Sequence, residues 1–567
     1  MKTQMEIPED GFKGLKKNWS KDLVAGLIVS LLALPLSLGI AKASEFPAIM
    51  GVLTAIIGGV VVGLISGSPL SIKGPAAGLI VIVAGAVNGF GGGIEGWHMA
   101  LGAIVVAAGV QVLFGVLKLG KFSDYFPHTV IHGMLGAIGF MILAKQLHIL
   151  GGISPTHLVD GKLKSIAEPI DLFMELPNTV QSIMANPGNQ TILLVGAICL
   201  VIVFGWPMIK NKYVKKIPAP LVVLALSIPL GIIFGLKDIK GGLVKVDNIF
   251  EIANYNVSFA GMTTHTGVFI KYVIMFALIG SIESLLTVKA VDLMDPWRRK
   301  AKTNKDLIAQ GVGNGISGVL GGLPMISEVA RSTANVNYGA RTRWSNIFHG
   351  VFLLIFVVAA TPVIEMIPNT ALAAMLIGVG YRLASIKEFI HIFKIGWWQL
   401  VVLVSTTVAI LLTDLLVGVG IGLAVKFSIH YLGGLPFKNT FKAGLRIEQD
   451  PERYVVHISG GAVVTNLPGI MKKINEIPAQ SRIYVDLSEC VLVDHTSMET
   501  FKTFKKDYES NGGEFQFTGL DRHKAISKHA DSTQILPKDV RKELKNRNTA
   551  DSDSRKDSDI DHEHRIN

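Results

Sequence analysis

The chain is short of cysteine and, over most of its length, short of charge. Two cysteines in 567 residues, Cys199 in an apolar run and Cys490 far downstream, exclude a disulfide-stapled secreted scaffold. They make neither a CxxC redox pair nor a metal cluster. Only 17% of residues are charged, and the deficit is local. From Pro436 onward the last 132 residues hold 21 basic and 21 acidic groups, whereas residues 1–435 hold 33 and 22. That upstream density is roughly half of what a soluble domain carries. No P-loop is present, which argues against an ATP-driven pump, and no metal-ligand constellation or catalytic group stands out. No cofactor is expected, and the chain is not expected to be an enzyme.

What is present is apolar length. About 20 apolar residues cross a bilayer as a helix, and shorter runs suffice where protein surrounds them. Candidate spans are 23–41, 48–65, 97–117, 130–150, 191–208, 219–236 and 268–288. Further ones are 307–323, 347–361, 371–383, 400–416 and 417–432, with two interrupted segments at 72–87 and 327–339. The total is fourteen. Lysine and arginine alternate in phase with that count: 22 fall in loops on the side of the N-terminus, among them Lys2, Lys210, Lys212, Lys215, Lys216 and Arg382, against 7 on the other. The net charge of +11 is therefore a topology signal rather than a nucleic-acid footprint, and it puts both termini in the cytoplasm. No cleavable signal peptide is evident, so the first run reads as an uncleaved span.

After Gly433 and Gly434 the pattern changes. Strand-like runs at 454–459, 483–487 and 514–518 alternate with helical spacing at 467–474 and 497–508, which predicts a small α/β module. The expected organisation is a cytoplasmic N-terminus (1–21), a transmembrane domain (22–433), the α/β domain (434–545) and a disordered tail (546–567). Asp561, His562, Glu563 and His564 in that tail could hold a metal, but a solvated tail is the plainer account.

The interrupted segments carry the chemistry. In Ser68-Pro69-Leu70-Ser71-Ile72-Lys73-Gly74-Pro75-Ala76-Ala77-Gly78, extended chain gives way to a helix with Pro75 at its first position. Gly321-Gly322-Leu323-Pro324 likewise precedes a short helix expected from Ser327 to Ala334. Each half-helix would start near mid-membrane with free N–H groups and about half a positive charge. Two such starts, in corresponding positions of a 7+7 chain, make an anion site between inverted repeats. Arg331, one turn into the second, adds a fixed charge. The plainer account is a pair of Gly/Pro kinks with Arg331 paired to Glu328 at i,i+3. Glu283, buried in the eighth span, could carry a proton, ligate Na⁺, or simply pair with Lys289. Gly311-Val312-Gly313-Asn314-Gly315 lies inside a span with no strand before it, so it reads as close helix packing, not a dinucleotide loop.

At these residues the chain resembles the sulfate permease (SulP) family. The matching pieces are Asp22-Leu23-Val24-Ala25-Gly26 with Ala33-Leu34-Pro35, Gly74-Pro75-Ala76, Ile282-Glu283-Ser284-Leu285-Leu286, Gln310-Gly311 with Asn314, and Arg331-Ser332 with Asn335 and Gly339-Ala340-Arg341-Thr342. The resemblance implies an α-helical polytopic membrane protein with fourteen spans as a 7+7 inverted repeat, uracil-permease-like, with core and gate domains. It implies a homodimer and a C-terminal STAS domain, whose pattern Asp486-Leu487-Ser488 and Asp494-His495-Thr496-Ser497 match. Substrate would sit between the third and tenth helix starts, at Gly74, Pro75, Ala76, Ala77, Glu328, Val329, Ala330, Arg331 and Ser332. Arg331 matches a sulfate-ligating arginine of plant relatives and Glu283 their proton-coupling glutamate. Thr496 lies where related proteins are phosphorylated, although a helix N-cap is the plainer reading there. The implied function is elevator-type, proton-coupled sulfate transport in the cytoplasmic membrane. Pro35-Leu36 and Ile40 replace polar or aromatic ligands of the plant first helix, and Glu328 stands where Ser or Thr is usual. H⁺- or Na⁺-coupled transport of bicarbonate or a dicarboxylate, an exchanger and a channel of the same fold therefore remain open.

Overall fold

The computed structural model describes residues 7–159, 162–166, 169–211, 214, 217–246 and 257–544. Lys2, Lys212, Lys215, Lys216 and the tail from 546 with its Asp/His/Glu cluster lie outside the described residues. Each of the fourteen apolar segments contains a helix. The first seven are α1 (Gly11–Ala43), α2 (Ala48–Ile65), α3 (Ile80–Gly89), α4 (Gly93–Val116), α5 (His128–Leu150), α6 (Pro187–Gly205) and α7 (Ala219–Ile233). The second seven are α8 (Thr266–Met294), α9 (Thr303–Val319), α10 (Val329–Asn337), α11 (Trp344–Ala359), α12 (Asn369–Leu383), α13 (Trp397–Leu412) and α14 (Leu415–Leu432). Eight helices among the described residues are long and apolar enough to cross a membrane by themselves, and four more are apolar but shorter. The two polar members are α9 and α10. α9 buries Gln310, Asn314 and Ser317, which is tolerable because protein, not lipid, surrounds them.

Local chemistry explains the irregularities. A π-turn interrupts α2 at Gly58–Val62. A Cβ on Gly59 would stand 2.6 Å from the Gly350 Cα of α11, so only paired glycines let these two helices approach so closely. Strand β1 (Lys73–Pro75) precedes the third helix and β2 (Met325–Ser327) the tenth. They pair antiparallel, Lys73 with Ser327, Gly74 with Ile326 and Pro75 with Met325. This pairing corrects both expected helix starts. Pro75 is the end of a strand, and helical structure begins at Ala77 with a 3-10 turn (Ala77–Leu79). Ser327 also ends a strand, and α10 begins two residues later. The reason is hydrogen bonding: extended backbone at membrane depth has no water to bond, and each strand satisfies the other.

The chain forms two compact units, one of Met1–Ser123 with Leu135–Ala384 and one of Asp124–Met134 with Ser385–Asn567. The second contains α13, α14 and the α/β module. Module elements are β3 (Gly444–Gln449), β4 (Tyr454–Ala462), α15 (Leu467–Ile474), β5 (Arg482–Asp486), β6 (Cys490–Val493), α16 (His495–Ser510), β7 (Glu514–Thr518), β8 (Lys524–Ala525) and β9 (Gln534–Ile535). The sheet runs β8-β9-β6-β4-β5-β7, with β3 also pairing β4. β4 is parallel to both β5 and β6, and β5 to β7. Val456, Ile458, Ile483, Val485 and Phe515 from the sheet bury against Ile470 of α15 and Phe501 of α16. The sequence foresaw three of these strands and both helices. β3, β6, β8 and β9 were not foreseen.

Candidate functional site

The β1–β2 pair sets the geometry of both half-helix starts. Ile72 N–H donates to Ser332 Oγ at 2.9 Å, and Glu328 N–H donates to the Ile72 carbonyl at 2.9 Å. Met325 N–H donates to Asn314 Oδ1 at 2.6 Å, while Asn314 Nδ2 donates to Gln111 Oε1 at 2.7 Å. Ser327 N–H donates to Ser284 Oγ at 3.0 Å. Lys73 donates to Asp306 Oδ2 at 2.5 Å and to Ser327 Oγ, and the lysine and the aspartate are both buried. Lys73 is thus the cation that ties β1 to α9. At the end of α1's first turns, Asp22 accepts from Arg341 N–H (2.7 Å), Thr342 N–H (3.1 Å) and Thr342 Oγ1 (2.5 Å). Two motifs more than 300 residues apart in sequence meet there.

Three candidate groups come together around the starts. A Cβ added to Gly74 would stand 2.6 Å from Arg331 Nη1, and one on Gly78 would stand 2.5 Å from Glu283 Oε2. The guanidinium therefore lies against β1, and the Glu283 carboxylate lies against the first turn of the third helix. Arg331 is 1% exposed, and none of its Nε, Nη1 and Nη2 atoms has a hydrogen-bond partner. Glu283 is also buried, and its Oε1 is unpartnered. Lys289, the partner considered for Glu283, donates to Ser123 Oγ at 2.8 Å. His349 on α11 was not foreseen. It is fully buried with both ring nitrogens unpartnered, within electrostatic reach of Arg331.

The two starts are not equivalent. At the third helix the cap is Ala76, with no side-chain hydrogen bond, and the Glu283 carboxylate lies beside Gly78. At α10 the cap is Glu328, whose carboxylate accepts the Arg331 backbone N–H at 3.1 Å. This corrects the expectation that the N–H groups of α10 are all free. In place of the side-chain pairing of the plainer account, Glu328 engages the backbone of Arg331 while the guanidinium has no hydrogen-bond partner.

A cavity of about 840 Å³ opens beside α10. Ala330 and Arg331 line it, with Thr333, Ala334, Asn337 and Tyr338 farther along the helix. α1 contributes Ile28, Leu32 and Leu36, and Pro218, Pro220, Gly339 and Arg382 also line it. Gly74, Pro75, Ala76, Ala77, Val329, Ser332 and Glu283 are not among the lining residues. Arg382 was counted only as a topology marker, so its place in the cavity was missed.

In the α/β module Thr496 is the second residue of α16 and is buried. The N-cap expected there belongs to Asp494, which accepts from Ser497 N–H at 2.8 Å. Lys426 Nζ and His430 Nε2 of α14 lie 3.7 and 3.6 Å from Asp494 Oδ2. Burial alone would raise the Asp494 pKa. The charges of Lys426 and His430 and the bonds from Ser497 outweigh it and hold the carboxyl below its ordinary range.

Residues 19–406 match the sulfate permease family. The chain belongs to that family. A Bacillus subtilis (strain 168) relative named as a candidate sulfate transporter, YvdB, is 27% identical over 422 residues, covering 73% of this chain and 74% of its own. The bicarbonate transporter BicA of Picosynechococcus sp. is also 27% identical, covering 72% and 69%. Among solved structures, the transmembrane domain of a cyanobacterial BicA superposes with a TM-score of 0.60 at 24% identity, over 72% of this chain and 98% of that one. The murine Slc26a9 anion transporter in its inward-facing state gives 0.61 at 14% identity, over 88% and 85%. The permease fold is thus a multi-pass membrane domain followed by an α/β module consistent with STAS, and anion transport is the activity of its class.

Proposed function

We propose that this permease is a secondary active transporter of an inorganic oxyanion, moving sulfate together with a proton. The observation that carries the reading is Arg331: a fully buried guanidinium with no hydrogen-bond partner, at the start of a half-helix and on the wall of a cavity. A buried unpaired charge is strongly unfavourable, and an anion that accepts its hydrogen bonds removes that penalty. The N–H groups at Ala77 and Gly78, at a helix start with no side-chain cap, add the positive end of a helix dipole. Gly74, Pro75, Ala76 and Ala77 shape the site from one side, and Glu328, Val329, Ala330, Arg331 and Ser332 from the other. Glu283, against Gly78, takes up the coupling proton, so that anion and proton travel together. Displacement of a core domain past a gate domain then carries the loaded site across in an elevator motion. The lysine and arginine distribution supports the cytoplasmic membrane, with both termini in the cytoplasm, and a homodimer is the expected assembly. Thr496 is the regulatory candidate in the α/β module.

Two observations favour a second reading, bicarbonate or a dicarboxylate driven by H⁺ or Na⁺. Leu36 offers the cavity no hydrogen bond, and Glu328 puts a carboxylate at the α10 start. Uptake of labelled sulfate, bicarbonate and fumarate into proteoliposomes, under separate H⁺ and Na⁺ gradients, decides between them. The sulfate reading expects saturable sulfate uptake that ΔpH accelerates and Na⁺ does not, with Glu283→Gln insensitive to ΔpH. Sulfate uptake driven by Na⁺ alone would remove the proton, and uptake of bicarbonate without sulfate would replace the substrate.

A further inference from the structure

Two arginines reach the 840 Å³ cavity from separate helices, Arg331 in the first turn of α10 and Arg382 in the last turn of α12. Among the described residues no carboxylate lines it; the rest of that wall is aliphatic, aromatic or neutral polar. Glu328 acts electrostatically on both arginines but is engaged as the α10 cap and is not on the wall. Arg382 is exposed, and no hydrogen bond or ion pair holds it among the described residues. A helix C-terminus also suits a cation, so Arg382 keeps its charge there without a side-chain partner.

One guanidinium and one helix start balance a monoanion. A dianion such as sulfate leaves a second charge, and an exposed arginine on another helix supplies it. We propose that Arg382 is a specificity-determining residue that selects divalent over monovalent anions by giving the ion a second guanidinium while the cavity is open. The idea rests on the oxyanion-transport reading above and extends it from one arginine to two. Arg331 fixes where the anion sits, and Arg382 weights which valence enters. Because Arg382 is solvated, its effect is screened by salt, whereas that of buried Arg331 is not.

The test is a charge series at one position in the reconstituted full-length protein: Arg382→Lys, Arg382→Gln and Arg382→Glu. Sulfate KM is expected to rise in that order, by about tenfold for Gln, with kcat within about twofold of wild type. The increase should shrink at 0.5 M NaCl. Bicarbonate, a monoanion at pH 7.5, should compete with sulfate with a Ki that moves less than about threefold in Arg382→Gln. A structural role would lower kcat and thermal stability without ordering KM by charge. A flat KM series, or a bicarbonate Ki that moves as far as the sulfate KM, overturns the inference. If wild type moves sulfate and the series is flat, only the role of Arg382 falls. If wild type moves no dianion at all, the sulfate reading fails and takes this inference with it.

Discussion

The third and tenth helices share a plan and divide the chemistry. Each follows a three-residue strand and each strand pairs with the other, but the third helix starts on buried residues whereas Val329 and Ala330 at the start of α10 are exposed. The third helix start carries only Ala76, Ala77 and Gly78 and no side-chain cap, so it presents backbone. α10 carries Glu328 and Arg331; its carboxylate covers one of its own N–H groups, and its guanidinium lies across to Gly74. One start therefore has no side-chain cap but has the Glu283 carboxylate beside Gly78, and the other carries a full charge with a carboxylate cap of its own. In the proposed site, symmetry of backbone would set where the anion sits, and asymmetry of side chains how tightly.

Breaking the charged half should have the largest effect. Arg331→Ala is expected to lower sulfate uptake more than a hundredfold with unchanged expression, and Arg331→Lys to recover a fraction of it, read in the same proteoliposomes. Breaking the backbone half comes next. Gly78→Ala and Gly74→Ala place a methyl against Glu283 and Arg331 and should lower kcat/KM about tenfold. Gly109→Ala, where a Cβ meets nothing within 4 Å, should leave transport unchanged.

Removing the competitor sharpens the contrast. Glu328→Gln keeps an oxygen for the Arg331 N–H but deletes the negative charge, so the anion KM should fall several-fold, which an uptake titration reads directly. The smallest effect belongs to a helix start away from the membrane, at Asp494 on α16. Its carboxyl is held below its ordinary value of 3.8, so its contribution to stability is complete above that pH and is lost as the pH falls. Asp494→Asn should lower the Tm of the full-length protein by a few degrees at pH 7. The difference from wild type should close toward pH 3.

Much of this was legible in the sequence, for physical reasons. Apolar runs of membrane length and the phased lysines and arginines gave the span count, because lipid leaves few alternatives to a helix. Pro75, Pro324 and their glycines marked both breaks, and Arg331 and Glu283 stood out because charge is scarce in spans. The β1–β2 pairing was hidden: three residues have no periodicity, and their partners lie some 250 positions away. Glu328 was read as a substrate-site residue, with pairing to the Arg331 side chain as the plainer alternative, when its spacing also suits a cap on the Arg331 backbone. Arg382 was visible as a basic residue at the end of the twelfth span, but nothing local tells a topology marker from a cavity wall. His349 gave no signal at all, since a lone histidine in an apolar helix is ordinarily a packed core residue.

The central claim is that an anion sits between the third helix start and Arg331. Anomalous diffraction from crystals soaked in selenate, a sulfate analogue that scatters at the selenium edge, measures this most directly. The account predicts one strong peak within hydrogen-bond reach of the Arg331 guanidinium and the N–H groups of Ala77 and Gly78, lost in Arg331→Ala. A peak elsewhere in the membrane domain, or an unchanged peak in the variant, would contradict it.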